Sequence, residues 1–341
     1  MFLNATQEQV RDMARAFSDE VIRPVVDSLD RDERFPSEIY DEMAKLGLFG
    51  ICVPEHLGGP GFDTLTYAVV MEELARGYSS VADQCGLVEL ISTLLVRHGT
   101  EEQQKLLPDF LGMKAKVAYC ITEPEAGTDV SGIVTTAERD GAGWRLNGGK
   151  IWIHNAPIAD YGFVLARTNK EAGNRGMSIF IVDLHAAGVT RGPKEHKMGQ
   201  RASQVGALNF ADVRLPSSAL LGEENRGFHM MMSVLDKGRV GLTREISTKQ
   251  LCIGVPEQVQ HDAGFRCSRD HGGATILDAL CFLLNEIEQG PGPTYSAEPA
   301  TLNLLTTEQF VAHPCLLRTR PVLPGCVPAP CAWRDRYALG Y

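Results

Sequence analysis

The sequence predicts an α+β protein with a helical N-terminal domain, an antiparallel β middle domain and an incomplete or divergent helical C-terminal domain. Apolar residues recur at helical spacing to about residue 116, then with a period of two to about residue 225. Helical spacing returns from Gly227. We therefore expect domains at 1–116 and 117–225, the start of a third at 226–242, and a divergent tail at 243–341.

Capping residues mark the first helices of the N-terminal domain. Thr6 and Gln9 have the spacing of a capping box ahead of an apolar stripe. A second helix is expected to end at Gly47 or Gly50, because glycine adopts the left-handed C-cap conformation with little strain.

Similar signals bound the later helices of this domain. Asp63 is a candidate N-cap, and Gly99 is expected to end a further helix. Thr100 and Gln103 form a second capping box, for a helix that reaches about Leu111.

The middle domain is predicted to contain a β-meander. Asp140-Gly141 and Asn147-Gly148 are turn signals on either side of a short strand, Trp144–Leu146, with extended segments near Thr135 and Ile151. Further strands are predicted at 163–167, 177–183 and 207–213.

The tail differs in composition from the rest of the chain. Six of the nine cysteines and nine of the 18 prolines lie in its 99 residues. One helix is predicted there, 274–288, followed by segments rich in proline and glycine. Cys252, His261, Cys267 and His271 are conceivable zinc ligands, but no C-x-x-C pair is present, so we predict no metal site.

Charge and composition limit the classes of partner. A formal net charge of −10 disfavours nucleic acid and anionic membrane surfaces, although a few local cations could still bind an anionic small ligand. No signal-peptide pattern and no run of 18 apolar residues is present, so we predict a cytoplasmic protein. Cys52, Cys85 and Cys120 lie in apolar runs, which indicates buried thiols.

Two segments of the middle domain carry groups suited to a polar ring system or a phosphate. Tyr119–Asp129 follows a strand and combines hydroxyl groups, a glycine and backbone amides. In Lys150–Asn155, alternation places Trp152 and His154 on one face of a strand. Taken alone, each segment favours an ordinary structural role, the first as a Pro/Gly turn with hydroxyl caps and the second as a buried Trp-His pair.

The order of several motifs along the chain is more informative. These are YCITEPEAGTD, GGKIWIHN, KMGQRAS, FADVRLP, LLGEENRGF and LDKGRVG. With this set the chain resembles the acyl-CoA dehydrogenase family across about residues 5–242, and FGICVPEHLGGPG and HGTEEQQKLLP are similar to that family's N-terminal domain. The tail shows no such resemblance.

The resemblance implies bound FAD and an acyl-CoA substrate. The residues it assigns to the cofactor are Tyr119, Ile121, Thr122, Gly127, Thr128, Trp152, Ile153 and His154. Those it assigns to the substrate are Thr128, Asn174, Asp236 and Arg239, and 84–95 would line the acyl side. The stripe Phe228, Met231, Met232 and Leu235 is predicted to be core.

The implied reaction is α,β-dehydrogenation of an acyl-CoA thioester. A carboxylate removes the α-proton while the β-hydride moves to the flavin, and hydrogen bonds to the thioester oxygen stabilise enolate character. The resemblance also implies an electron-transfer flavoprotein as electron acceptor and a homo-oligomer, the latter doubtful for a chain without the complete C-terminal bundle.

The sequence departs from the family's pattern at three places. Glu125 stands where many relatives have glycine, and His154 replaces a hydroxyl residue that in the family is often found opposite N5 of the flavin. No base is found: the tail has no E-G-T-type stretch, and Gly238 occupies the alternative position beside Arg239. R-x-Q-F-G-like and G-G-x-G motifs are also missing from the tail. The catalytic residue is therefore unknown.

Two other functions compete with the dehydrogenase. The missing base and bundle favour a catalytically defective or non-catalytic relative that keeps acyl-CoA or partner binding. A DNA-associated relative of the same fold would need a basic surface, which this acidic chain does not offer.

Overall fold

The computed structural model describes the backbone of residues 3–252, and the side chains to residue 241 apart from Lys237. The predicted tail helix 274–288 and the candidate zinc ligands lie outside the described side chains. Within the described part, helices come first, a sheet follows, and a long helix closes it, which confirms the predicted fold class.

The N-terminal part contains seven α-helices in the described residues. They are α1 Ala5–Phe17, α2 Val26–Arg31, α3 Ser37–Lys45, α4 Thr64–Gly77, α5 Ser79–His98, α6 Glu101–Gln104 and α7 Leu107–Leu111. A π-helical turn, Ser18–Ile22, and a 3-10 turn, Arg23–Val25, join α1 to α2. The helix predicted to run from Thr100 to Leu111 is thus two short helices.

Most of the predicted helix boundaries are confirmed. Asp63 accepts the amide of Thr66 at 2.8 Å as N-cap of α4, and Gly99 follows the last residue of α5. Thr100 and Gln103 form the expected capping box, and Gly47, after α3, has φ 69°.

The capping box assigned to Thr6 and Gln9 is wrong. Asn4 is the N-cap of α1: its Oδ1 accepts the amide of Gln7 at 2.9 Å, and its own amide donates to Gln7 Oε1 at 3.0 Å. The Gln7 side chain also donates to Asp63 at 3.0 Å, so a contact between α1 and the start of α4 selects this register.

An eight-stranded sheet follows. Its strands are β1 Val117–Cys120, β2 Thr136–Asp140, β3 Gly143–His154, β4 Tyr161–Arg167, β5 Met177–Asp183, β6 Val189–Lys194, β7 Val205–Leu215 and β8 Leu220–Leu221. The order is β6-β7-β3-β2-β4-β5-β8, with β1 paired to β4. The pairings are antiparallel except that β4 runs parallel to β1 and to β2.

The two faces of the sheet are buried in different cores. Phe163 and Leu165 of β4 join a large core shared with the helices, whereas Val164 and Ala166, which point the other way, join a second core around Trp144. The central strand is therefore a continuous apolar run because both of its faces are covered.

The turn predicted at Asn147-Gly148 is wrong, because β3 continues through it. Asn147 exchanges two hydrogen bonds with Asp212, which holds it beside β7. Gly148 has φ 142°, at a shift in register that marks a bulge, and a Cβ there would lie 2.5 Å from Thr135 Oγ1. The turn at Asp140-Gly141 is confirmed between β2 and β3.

The final helix, α8, spans Gly227–Cys252 and packs on α4, α5 and β5. It therefore extends beyond residue 242, where the tail was expected to begin. Met231 is buried as predicted, and Phe228, Met232 and Leu235 are partly buried against the same core. The domain boundaries stay a proposal.

Helix α5 is the central helix of the N-terminal part. Among the described residues it alone is long and apolar enough to cross a membrane, with a mean hydropathy of 1.3. Of its most apolar window, 72% is buried inside the fold. Burial of this extent is typical of a core helix.

We predict that Gly148→Ala lowers the free energy of unfolding by about 3 kcal/mol, because the bulge combines a positive φ with a steric clash. Gly141→Ala is the matched control: Gly141 has φ 60° but no atom within 4 Å of the added methyl group, so about 1 kcal/mol is expected. Urea unfolding of the full chain measures both. Equal losses in the two variants would contradict the bulge.

Candidate functional site

A cavity of about 600 Å³ lies at the end of β3. Trp152 and His154 both line it, together with residues from α5, from the segment that connects β6 to β7, and from the start of β7. These are Asp83, Lys197, Gly199, Gln200, Ser203 and Val205. Trp152 and His154, which strand alternation places on one face, therefore both line the same cavity.

The backbone of β3 is irregular where it enters the cavity. The register with β7 shifts between Lys150 and Ile153, and Trp152 has φ 55°. Ile153 is 2% exposed and belongs to the second core, whereas Trp152 is 57% exposed. The bulge therefore presents an aromatic ring to solvent at the cavity while the next side chain anchors the strand.

His154 is paired with a carboxylate from the N-terminal part. Its Nδ1 lies 3.1 Å from Asp83 Oδ2, while its Nε2 is buried and has no hydrogen-bond partner in the part of the chain that the structure describes. Burial lowers the pKa of His154, Asp83 opposes this shift, and Lys197 adds to it. The imidazole is therefore neutral near pH 7, with one ring nitrogen held and the other available.

The segment Lys197–Gln204 is held by the N-terminal part. Asp30 accepts the Arg201 amide at 2.9 Å and the Tyr78 hydroxyl at 2.6 Å. Glu33 pairs with Lys194 at 2.9 Å and with the Arg201 guanidinium, and these hydrogen bonds lower the pKa of Glu33 to about 2. The far wall of the cavity is thus fixed by a second domain.

Ser203 lies in this fixed segment. Its hydroxyl is buried and, among the described residues, has no hydrogen-bond partner. Lys197 donates to the carbonyl of Gln200 at 2.7 Å, and burial lowers the pKa of Lys197. The cavity wall therefore carries a hydroxyl group and an ammonium group beside the imidazole.

A buried ion pair fixes the segment that precedes β2. Lys150 Nζ lies 2.7 Å from Glu123 Oε1 and 2.9 Å from the carbonyl of Ile121. Glu123 also accepts the amides of Val134 at 2.6 Å and Thr135 at 3.1 Å. Both charged side chains are at most 2% exposed. The loop 121–135 is therefore closed onto β3 just before Trp152.

The electrostatics of this pair are asymmetric. Burial alone would raise the pKa of Glu123, but Lys150 and the two amides lower it. Burial lowers the pKa of Lys150 in spite of Glu123. The Glu123 carboxylate has several hydrogen-bond donors, and the charge of the Lys150 ammonium is stabilised by that carboxylate.

The other residues assigned to the cofactor lie apart from this cavity. Tyr119 is largely buried, which raises its pKa, and its hydroxyl donates to the Met231 carbonyl at 3.2 Å. Ile121 is buried, and Thr122 accepts the Ile151 amide at 3.0 Å through its carbonyl. Gly127 and Thr128 are exposed. None of the five lines the cavity.

The residues assigned to the substrate are exposed and also lie outside the cavity lining. Asn174 is in a 3-10 segment, Lys170–Gly176, that contacts α8. Asp236 and Arg239 form an ion pair of 3.4 Å on α8. Gln84 is buried and accepts the Asn155 side chain at 3.1 Å.

Glu125 is not strained. A side chain in place of the family's glycine would strain the backbone only at a positive φ, and Glu125 does not have one.

Sequence reasoning missed most of the cavity wall. Lys197 and Ser203 lie in the motif KMGQRAS, which supported the resemblance but was not assigned a site. Asp83 had no signal, because a single acidic residue in an apolar helix is not a motif.

Comparisons with known proteins agree with this architecture. The family model of the acyl-CoA dehydrogenase N-terminal domain matches residues 4–114, and that of the middle domain matches residues 118–213. The chain is 37% identical to the Caffeyl-CoA reductase-Etf complex subunit CarC of Acetobacterium woodii, over 84% of this chain and 76% of that protein. The chain belongs to the acyl-CoA dehydrogenase family.

Another member of the family, the mitochondrial short-chain specific acyl-CoA dehydrogenase of Bos taurus, is 36% identical over 71% of this chain and 60% of its own length. The chain therefore spans about three fifths of that relative.

Solved acyl-CoA dehydrogenase structures have the same fold. Butyryl-CoA dehydrogenase from Megasphaera elsdenii gives a TM-score of 0.70 at 33% identity, covering 85% of this chain and 77% of that one. Glutaryl-CoA dehydrogenase from Mycobacterium smegmatis in complex with FADH2 gives 0.67 at 30% identity, covering 71% and 62%.

We predict that Lys150→Met lowers the free energy of unfolding by about 3 to 5 kcal/mol, because the carboxylate of Glu123 stays buried without a counter-ion. The double variant Glu123→Gln/Lys150→Met is the control. Its glutamine still accepts the amides of Val134 and Thr135, so more than half of the loss should be recovered. Denaturant unfolding of both variants measures this. Additive losses in the double variant would contradict a coupled pair.

Proposed function

We propose that this chain binds FAD and catalyses the α,β-dehydrogenation of an acyl-CoA thioester, with electrons passed to an electron-transfer flavoprotein. The observation that carries the proposal is the cavity of Trp152 and His154, reached by two segments that match the family's motifs. The named activities of the relatives support the same reaction class.

The residues of the cavity fit a flavin ring. Its volume lies within the usual range for ligand pockets, about 300 to 1,000 Å³. The exposed face of Trp152 suits an aromatic ring. Two buried polar atoms that have no partner among residues with described side chains, His154 Nε2 and Ser203 Oγ, suit its polar edge. A ligand with hydrogen-bonding edges would satisfy them.

The residues proposed to hold FAD are those assigned from the family's motifs. They are Tyr119, Ile121, Thr122, Gly127, Thr128, Trp152, Ile153 and His154. Tyr119, Ile121 and Ile153 are largely buried, so they would act through their backbone or by shaping the site. Gly127 and Thr128 are exposed, so they can contact a ligand directly.

When bound, the flavin supplies the hydride acceptor. The chain's own residues would orient the ring and the thioester. Thr128, Asn174, Asp236 and Arg239 are proposed for the acyl-CoA. All four are exposed, and Arg239 offers a cation on α8 for an anionic ligand.

Two further points belong to the same proposal. The resemblance to the family implies a homo-oligomer, which is doubtful for a chain whose tail lacks the family's C-terminal motifs. A cytoplasmic location is supported by the buried thiol of Cys120, which forms no disulfide in the described part of the chain and so suits a reducing compartment.

A second candidate is a non-catalytic relative that keeps ligand or partner binding. The observation that favours it is the missing base: α8 has Gly238 beside Arg239, and the tail has no matching glutamate stretch. Such a protein would bind FAD or acyl-CoA without turnover.

Visible absorption of the purified full chain separates these functions. A yellow protein that butyryl-CoA bleaches under anaerobic conditions supports the dehydrogenase. A yellow protein that butyryl-CoA does not bleach favours the non-catalytic relative. A chain that stays colourless after incubation with FAD and gel filtration contradicts flavin binding.

We predict that Gly238→Glu accelerates bleaching by butyryl-CoA about 10- to 100-fold, because a carboxylate would then be available for the α-proton. Among the side chains that the structure describes, a Cβ at this position meets Leu90 Cδ1 alone, at 3.8 Å, which is ordinary van der Waals contact. Gly238→Gln has nearly the same shape and the same gain in helix propensity without the charge. Equal rates in the two variants would contradict a role for the carboxylate.

A further inference from the structure

The contact between Asp83 and His154 joins residues far apart in the chain. Asp83 is on α5, and His154 is the last residue of β3. Their side chains meet at 3.1 Å through Oδ2 and Nδ1, at the wall of the cavity. The His154 side chain is 15% exposed and that of Asp83 is 35% exposed. The carboxylate is thus hydrated, while the imidazole is largely enclosed.

The carboxylate determines which nitrogen of His154 carries the proton. A neutral imidazole has one donor and one acceptor nitrogen, and the hydrogen bond at one nitrogen fixes the role of the other. An ionised carboxylate only accepts, so Nδ1 must donate to it. Nε2 is then left with its lone pair.

The surroundings of Nε2 keep it an acceptor. Nε2 is buried and has no partner among the described residues. Burial disfavours a second proton on the ring, and the charge of Lys197 disfavours it further. The nearby Ser203 hydroxyl also has no partner among the described residues. Because a hydroxyl group can donate or accept, it does not determine which nitrogen of His154 carries the proton. An unpaired acceptor of this kind costs free energy until a donor meets it.

The oxidation state of a flavin decides whether it offers that donor. The oxidised ring has an unprotonated N5, whereas the reduced ring carries an N–H there. An acceptor that faces N5 therefore receives a hydrogen bond from the reduced ring. In the oxidised ring, the lone pair of the acceptor and that of N5 face each other and repel.

We propose that Asp83 is a positioning residue that holds His154 as a hydrogen-bond acceptor, so that the site binds reduced flavin more tightly than oxidised flavin. This inference rests on the proposed function, since it requires FAD in the cavity. In this proposal Asp83 acts through the ring of His154. No proton is transferred, because the preference comes from the direction of one hydrogen bond.

The size of the effect follows from one buried hydrogen bond. When His154 Nε2 faces a lone pair of N5 instead of the N5–H group, the affinity for FAD falls by roughly tenfold or more. Without the carboxylate, the imidazole can place its proton on Nε2 and donate to oxidised flavin. The ratio of the dissociation constant for oxidised FAD to that for reduced FAD should then fall by about the same factor.

The test compares wild type, Asp83→Leu, His154→Thr and the double variant. Leucine removes the acceptor at a partly exposed position with little change in size. Threonine has a hydroxyl group that can donate or accept. Dissociation constants are measured anaerobically for oxidised FAD and for dithionite-reduced FAD. The ¹⁵N chemical shifts of the His154 ring report the tautomer in the protein without added FAD, with His154→Thr identifying its signals.

The expected result has three parts. Wild type shows the Nδ1–H tautomer and prefers reduced FAD about tenfold or more. Asp83→Leu shifts the tautomer towards Nε2–H and reduces the preference about tenfold. Asp83→Leu has no effect on the preference in the His154→Thr background, which shows that it acts through the imidazole.

Two results would overturn the inference and leave FAD binding intact. One is an Nε2–H tautomer in wild type; the other is FAD binding with a preference that Asp83→Leu does not change. Failure of wild type to bind either form of FAD would instead overturn the proposed function, and this inference with it.

Discussion

The buried pair of Lys150 and Glu123 is the interaction on which the site depends. It ties the loop 121–135 to β3 immediately before the strand bulges and presents Trp152. Two buried charges are stable together only because the carboxylate is further satisfied by two amides and the ammonium by a carbonyl. Ile121, Ala126 and Ile133 of the loop are also buried in the large core, so the polar network and these apolar contacts together set its path.

The cavity is assembled from segments that are distant in sequence. The strand β3 supplies the aromatic ring and the imidazole, α5 supplies Asp83, and Lys197–Gln204 forms the opposite wall. Asp30 and Glu33 hold that wall from the N-terminal part. The site is therefore a product of how the helices and the sheet pack, and its polar groups are fixed before any ligand arrives.

Local sequence signals were reliable where neighbouring residues alone determine where a helix begins or ends. The N-cap Asp63, the capping box of Thr100 and the helix end at Gly99 depend only on neighbouring residues, and all three are confirmed. Signals that a distant partner overrides were wrong. Asn147-Gly148 reads as a turn, yet Asp212 holds Asn147 in a continuous strand. Asn4 caps α1 in place of Thr6 because Gln7 also reaches Asp63.

The sequence by itself determined the fold class, the family and the pairing of Trp152 with His154, because motif order and a period of two are properties of consecutive residues. Only the tertiary structure decided that Asp83 holds His154, that Ser203 joins the cavity, and that Tyr119 turns into the core towards Met231. These contacts join residues that no local pattern relates, and packing between the helices and the sheet selects them.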